Sequence, residues 1–123
     1  MKKTDKLVEI LKSQIEGKDI LEVACGGAEF SILASSFAKT VSCIDLDDSR
    51  LSKQIEQTDI MFRIMDASKM DYSDGSFDTI VIYNAFSNTT LQIWRVVQQK
   101  SKFNKELIEN ELLVIICLRD DII

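Results

Sequence analysis

Apolar residues recur along the chain in two rhythms that alternate. The first segment repeats at helical spacing: Leu7, Val8, Ile10, Leu11 and Ile15 predict a helix over Thr4–Glu16, with Thr4 as its N-cap and Gly17 as its stop. Next comes a short apolar run, Ile20-Leu21-Glu22-Val23-Ala24, of the kind buried in a parallel sheet, and it predicts strand one over Asp19–Cys25. Gly26 and Gly27 break this run. Phe30, Ile32, Leu33 and Phe37 then restore helical spacing over Ala28–Ala38. Lys39 and Thr40 turn into strand two, Val41–Leu46, and a short helix is predicted over Asp48–Gln57, capped by Asp47 or Asp48. Strand three is Ile60–Met65. The polar loop Ala67–Phe77 carries the turn signal Asp74-Gly75, and the β-branched run Thr79–Ile82 marks strand four over Asp78–Tyr83. A helix over Thr90–Phe103 presents Leu91, Trp94 and Val97 on one face; Asn104–Glu111 reads as further helix or as loop; strand five is Leu112–Leu118.

Strands alternating with helices predict an α/β, doubly wound, Rossmann-like three-layer sandwich. Its mainly parallel sheet has about five strands in the order 3-2-1-4-5. The stretch Asp19–Phe30, strand then glycine turn then helix, is the nucleotide-binding half of such a fold. Ligands there bind beyond the carboxyl ends of the strands. Asp45 ends strand two, Asp66 ends strand three and Asn84 follows strand four, so all three share a rim with Gly26. A single strand-end Asp is ordinary, because Asp also caps helices and starts turns. Two in register with a glycine turn point to a ligand site.

With 123 residues, of which 46% are hydrophobic, the chain suits one compact domain over residues 1–123. A net charge of −5 argues against an electrostatic grip on nucleic acid or on an anionic membrane. Met1-Lys2-Lys3 leads into a charged amphipathic segment rather than a secretory signal, and no apolar run approaches the roughly 20 residues of a membrane span. Cys25, Cys43 and Cys117 are odd in number and widely spaced, which fits reduced thiols in the cytoplasm better than disulfides or a zinc site. No metal site is expected.

The positions suit an adenosine-containing ligand. A carboxylate about 20 residues after a glycine turn can accept hydrogen bonds from ribose hydroxyls. Asp66 is placed to accept from the adenine amine, and Leu46, Ala67 and Met70 to sandwich the ring. A dinucleotide fingerprint fits poorly, because its three glycine positions fall on Ala24, Gly26 and Glu29. A glutamate at the third would repel a pyrophosphate, so a ligand without phosphate is favoured over a nicotinamide cofactor.

These residues resemble the class I S-adenosylmethionine-dependent methyltransferases. Glu22-Val23-Ala24-Cys25-Gly26-Gly27-Ala28 is similar to the family's first motif, acid-x-Gly-x-Gly-x-Gly, with Ala at the first and third glycine positions. Ile44-Asp45-Leu46-Asp47 resembles the motif that ends strand two, Met65-Asp66-Ala67 the adenine-binding strand end, and Asp74–Val81 the opening of strand four. The resemblance spans Ile20–Phe86. It implies S-adenosylmethionine as cofactor, S-adenosylhomocysteine as product, and cofactor contacts from Glu22, Ala24, Cys25, Gly26, Asp45, Leu46, Asp66, Ala67 and Asn84. Asp45 would be the ribose ligand, and Glu22 would order the glycine loop or bind the methionine end. On the residues alone, Glu22 reads equally as a half-buried acid satisfied by local N–H groups. Alanine at 24 and 28 is expected to narrow the ligand space and to resist positive φ.

No catalytic residue is identified. The chain has no histidine and no proline, so neither a histidine base nor the Pro-Pro element of the nucleic-acid amino-methyltransferases is present. A small-molecule acceptor is therefore expected. Family members usually continue past strand five with a helix and a β-hairpin, so the resemblance implies a C-terminally abbreviated member. It would be minimal, completed by another chain, or a cofactor-binding scaffold without turnover. Strand 112–118 is apolar on both faces and carries no Lys or Pro, which predicts a homodimer through that strand.

Overall fold

The computed structural model describes residues 2–82 and 91–101. Within them β1 (Asp19–Val23), β2 (Thr40–Asp45), β3 (Met61–Ile64) and β4 (Thr79–Ile82) form one parallel sheet in the order β3-β2-β1-β4. This is the predicted order as far as it can be followed. The predicted strand five, the dimer contact assigned to it and Asn84 lie outside the described residues.

β1 and β4 alternate their side chains between two apolar layers, so both strands are buried on both faces. On one side Ile20, Val41 and Val81 pack beneath Leu7 of helix α1 (Lys3–Ile10), Leu11 just after it, and Phe30 and Ala34 of helix α3 (Glu29–Ala34). On the other, Leu21, Val23, Ile44, Ile80 and Ile82 meet Met70, Phe77 and Val97, the last from α4 (Leu91–Lys100). Ile93 and Val96 of α4 join the same layer. β3 is the edge strand, and it leaves Met61 and Ile64 exposed.

Several boundaries differ from the sequence reading, each for a local reason. The N-terminal helix starts at Lys3 with Lys2 as its cap residue, so Thr4 lies inside the first turn and is buried instead of capping. Leu11 leaves helical geometry, and the predicted Thr4–Glu16 helix becomes α1 and a one-turn α2 (Lys12–Ile15). Gly17, with φ +69°, stops it as expected, and its amide donates to the Phe37 carbonyl. α3 ends at Ala34 rather than Ala38. In place of a helix over Asp48–Gln57 there is a 3-10 turn over Lys53–Gln57, capped by Ser52, whose hydroxyl accepts from the Gln54 amide. Asp47 is occupied elsewhere, accepting from the Ser49 amide and hydroxyl in a tight turn.

The end of the sheet opposite the glycine turn is tied by its own acids. The Asp19 amide donates to Asp78 Oδ2 at 2.8 Å, the Asp78 amide to the Asp19 carbonyl at 2.8 Å, and the Thr40 hydroxyl to Asp19 Oδ1 at 2.7 Å. Those bonds fix the starts of β1, β2 and β4 together, and with them the height at which the strands' carboxyl ends emerge.

Candidate cofactor-binding site

At that carboxyl end, β1 runs into a turn whose backbone alternates in hand. Ala24 (φ +58°), Gly26 (φ +57°) and Ala28 (φ +64°) are all left-handed, and α3 begins at Glu29 directly after the last of them. Alanine at 24 and 28 is expected to resist positive φ, and both adopt it nonetheless. For an L-residue this region costs roughly 1–2 kcal/mol, so both alanines are strained and something must hold them there.

Hydrogen bonds supply the restraint. The Cys25 amide donates to the Ile44 carbonyl at 3.0 Å, which extends the β1–β2 ladder into the turn. The Gly26 amide donates to Asp45 Oδ2 at 2.7 Å, and the Ala28 amide to the Cys25 carbonyl at 2.8 Å. On the outside, the Ser52 amide donates to the Gly27 carbonyl at 3.2 Å. A Cβ placed on Gly27 would come within 3.3 Å of the Arg50 carbonyl, so the backbone of 50–52 lies directly on the turn.

Asp45 thus has a structural task as well as a rim position. Oδ1 accepts from the Leu46 amide at 2.7 Å while Oδ2 holds Gly26, which leaves each oxygen one further lone pair. Arg50 Nη2 is 3.7 Å from Oδ2, and its guanidinium lies over Gly26, 3.6 Å from where a Cβ would be. Asp66 is built differently: its Oδ1 accepts from the Ser68 amide and hydroxyl at the start of a 3-10 turn over Ala67–Lys69. Those two bonds hold its carboxyl below the usual carboxylate range.

Glu22 is the least ordinary group. It is 2% exposed rather than half-buried, and it points into the α1/α3 layer, where the Ser31 hydroxyl donates to its Oε1 at 2.8 Å. Burial pushes its pKa up to about 8; the hydroxyl and amide of Ser31 oppose that rise, and the nearby Asp45 charge adds to it. A carboxyl in this position is mostly protonated at neutral pH. The Cys25 thiol packs against Cys43 and Ala28, and contact with the Cys43 thiol, followed by burial, raises its pKa, so it is an inert thiol.

One cavity of about 630 Å³, within the size range of small-molecule sites, brings these groups together. Of the nine positions named from the sequence, Glu22, Ala24, Cys25, Gly26, Asp45, Leu46, Asp66 and Ala67 all line it; Asn84 lies outside the described residues. Met70 does not line it: it is packed in the core beneath Ile80 and Val97, and Met65 takes the place expected of it on the cavity wall. Sequence reading missed Thr4, Arg50, Met65 and Ile93 on the wall and Ser31 behind it. Ser31 left a faint signal, a lone hydroxyl beside Phe30 on a helix with an apolar buried face. Arg50 left none, because only the path of the 46–52 segment brings it back over Gly26. No group of three or more metal-ligating side chains occurs among the described residues.

Comparison with known proteins adds the following. A family model described as a methyltransferase domain matches residues 20–104. Among curated proteins, none matches the chain. The fold is similar to that of an S-adenosylmethionine-dependent methyltransferase from Aquifex aeolicus, with a TM-score of 0.70 and 15% identity over 80% of this chain and 58% of that one. Another from Mesorhizobium loti gives a TM-score of 0.68 and 21% identity, covering 81% of this chain and 49% of that one. The 4+2 cyclase SpnF is equally similar in shape, with a TM-score of 0.70 and 16% identity over 80% of this chain and 41% of that one. At these identities the likeness shows the fold, and the chain spans about half the length of the solved relatives it matches.

Proposed function

The chain belongs to the methyltransferase domain family, and from that premise we propose that it binds S-adenosylmethionine in the Asp45 cavity and directs its methyl group to a small-molecule acceptor. The observation that carries this reading is the run of left-handed residues at 24, 26 and 28. The backbone of a glycine-rich cofactor loop is kept although alanine occupies two of its three positions, at a cost that a mere strand–helix connection has no reason to bear.

The donor set fits the cofactor. Each Asp45 oxygen has a lone pair left for a ribose hydroxyl, and Asp66 Oδ2 takes no part in the Ser68 turn. Leu46, Met65 and Ala67 give the wall an apolar stretch for the adenine ring. Glu22, Asp45 and Asp66 place three carboxyl groups around a ligand that has a sulfonium and an ammonium but no phosphate. S-adenosylmethionine, when bound, supplies an electrophilic methyl carbon. The chain's own part is to orient it and keep water away; transfer from a sulfonium asks mainly for proximity and alignment.

Calorimetric titration with S-adenosylmethionine, S-adenosylhomocysteine and NAD tests the reading. Micromolar binding of the first two and none of the third is expected; NAD binding alone would overturn it. Binding with no methyl transfer to any acceptor would favour a cofactor-binding scaffold without turnover. We also propose that two chains associate through 112–118, supported by that segment's unbroken apolar sequence. Light scattering at micromolar concentration should then report twice the chain mass. No helix among the described residues is long and apolar enough to cross a membrane.

A further inference from the structure

We infer that Glu22 couples cofactor binding to a proton: the acid is neutral in the free protein and ionises as the cationic methionine end of S-adenosylmethionine docks beside it. This rests on the cofactor reading above and says which chemical feature of the ligand the buried end of the cavity selects.

The geometry supplies the argument. Glu22 lies one residue from the carboxyl end of β1, between Cys43 on β2 and Val81 on β4, and it also lines the cavity. Its carboxyl is therefore shielded from bulk water by the sheet and by α1 and α3, yet it is open to whatever enters from the carboxyl end of the strands. From α3 it meets the Ser31 hydroxyl at 2.8 Å, with Glu29 on the same cavity wall. From α1, Thr4, a buried neutral hydroxyl residue, lines the same cavity. From the turn it meets the Cys25 thiol, and from β2 the Asp45 carboxylate, whose charge opposes its own ionisation. Arg50 is the cation of the described cavity wall, but its guanidinium is 3.7 Å from Asp45, and its side chain is 74% exposed at the mouth. Burial and a like charge therefore keep the acid protonated, and the polar bonds it makes are to Ser31.

An ammonium brought to this end reverses the balance, because an opposite charge within about 4–6 Å favours the charged form of a carboxyl. The Glu22 O–H bond then breaks, its proton leaves to solvent, and the resulting carboxylate keeps its Ser31 bonds and gains the ligand's positive charge. Electrons stay with the carboxylate oxygen, and no other reactant is consumed. With a free-state pKa of about 8, roughly 0.9 proton is released per cofactor bound at pH 7. By the same linkage, affinity falls about tenfold for each pH unit below 7.5, for as long as the bound-state carboxylate remains ionised. A nucleoside without the amino-acid end brings no cation to Glu22, so its binding should be indifferent to pH over this range.

The test is calorimetric titration of the full chain at pH 7 in two buffers of different ionisation enthalpy, repeated in a pH series from 6 to 8.5. S-adenosylmethionine is compared with 5′-methylthioadenosine, a thioether that keeps the adenosine but has neither the sulfonium nor the amino-acid end; S-adenosylhomocysteine, a thioether with the amino-acid end, separates the two charges and should release a proton as S-adenosylmethionine does. Release of close to one proton with the first, and of none with the second, is expected. In Glu22→Gln the release and the pH dependence should both vanish. Wild-type infrared difference spectra should show a protonated-carboxyl C=O band lost on cofactor addition, so the result does not depend on the variant folding. Binding of S-adenosylmethionine with no proton release and no loss of that band would overturn the inference while leaving the cofactor reading intact. No binding at any pH would overturn the cofactor reading and the inference with it.

Discussion

Replacing Ala24 by glycine should make the protein more stable, against the usual expectation for adding a glycine. Ala24 holds φ at +58°, where an L-residue costs roughly 1–2 kcal/mol and glycine nothing. The glycine variant also has a more disordered unfolded chain, which takes back about 0.4–1 kcal/mol. The methyl group of Ala24 is only partly buried against the Leu21–Ile82 layer, so little packing is lost. A net gain of roughly 0.5–1 kcal/mol remains. Ala28 is the internal control: its φ is +64°, but its methyl is fully buried between Cys25 and Cys43. Losing a buried methyl costs about 0.8 kcal/mol, so Ala28→Gly should come out near neutral. Urea unfolding of the two variants beside wild type at constant pH measures both. An Ala24→Gly protein less stable than wild type by 1 kcal/mol or more would show that the left-handed turn is not strained at this position. The argument that the fold tolerates a cost there for the sake of a ligand would then fail.

Further outcomes follow from the same bonds. Asp45→Ala leaves the Gly26 amide without its charged acceptor, so it should cost roughly 1.5–3 kcal/mol in urea unfolding and also weaken S-adenosylhomocysteine binding at least tenfold in calorimetry; unchanged stability would mean that the turn does not lean on this carboxylate. Because the folded protein keeps a proton on Glu22 up to about pH 8 that the unfolded chain gives up near 4.5, this group's contribution is full below pH 4.5 and is lost as pH rises through 8. That amounts to roughly 4–5 kcal/mol at most; denaturant midpoints should fall over this window in wild type, and Glu22→Gln should remove most of the decline. Ser31→Ala withdraws the hydroxyl that helps Glu22 ionise, so it should move the midpoint of the Glu22 titration to higher pH, read from the carboxyl carbon by NMR. Gly26→Val places a β-branched residue at φ +57° and pushes on the Arg50 guanidinium, and should abolish cofactor binding; retained affinity would make the turn a simple connection.

The centre of the sheet was legible because β1 and β4 are buried on both faces and so leave short, mostly apolar runs. Ile20–Ala24 and Thr79–Ile82 needed no partner to be recognised. Strand-end acids were legible for a related reason: once the order of a parallel sheet is known, Asp45 and Asp66 must share a rim. What could not be read was any feature set by three-dimensional proximity between distant segments. The short 3-10 turn that replaces the Asp48–Gln57 helix and the position of Arg50 over Gly26 both depend on how 46–60 crosses the turn. The left-handed conformation of Ala24 and Ala28 was not legible, because propensity argues against positive φ in alanine. Bonds from Cys25 to Ile44 and from Gly26 to Asp45 override it. Met70 was expected at the ring, and only the packing of the core places it in the interior and Met65 on the wall.

The bond from the Gly26 amide to Asp45 also says what this turn has given up. Successive backbone amides at a strand–helix junction make a natural nest for an anion, and in phosphate-binding loops that nest is what holds the ligand. Here the nest contains an anion already, a carboxylate of the same chain held at 2.7 Å. The turn carries its own counter-ion, and a phosphate arriving from solution would find the seat taken and a negative charge beside it. Removing Asp45 should therefore do more than weaken ribose binding: it should uncover a weak site for sulfate or phosphate at Gly26. The Gly26 amide is thus closed to an anionic ligand by a side chain on the neighbouring strand.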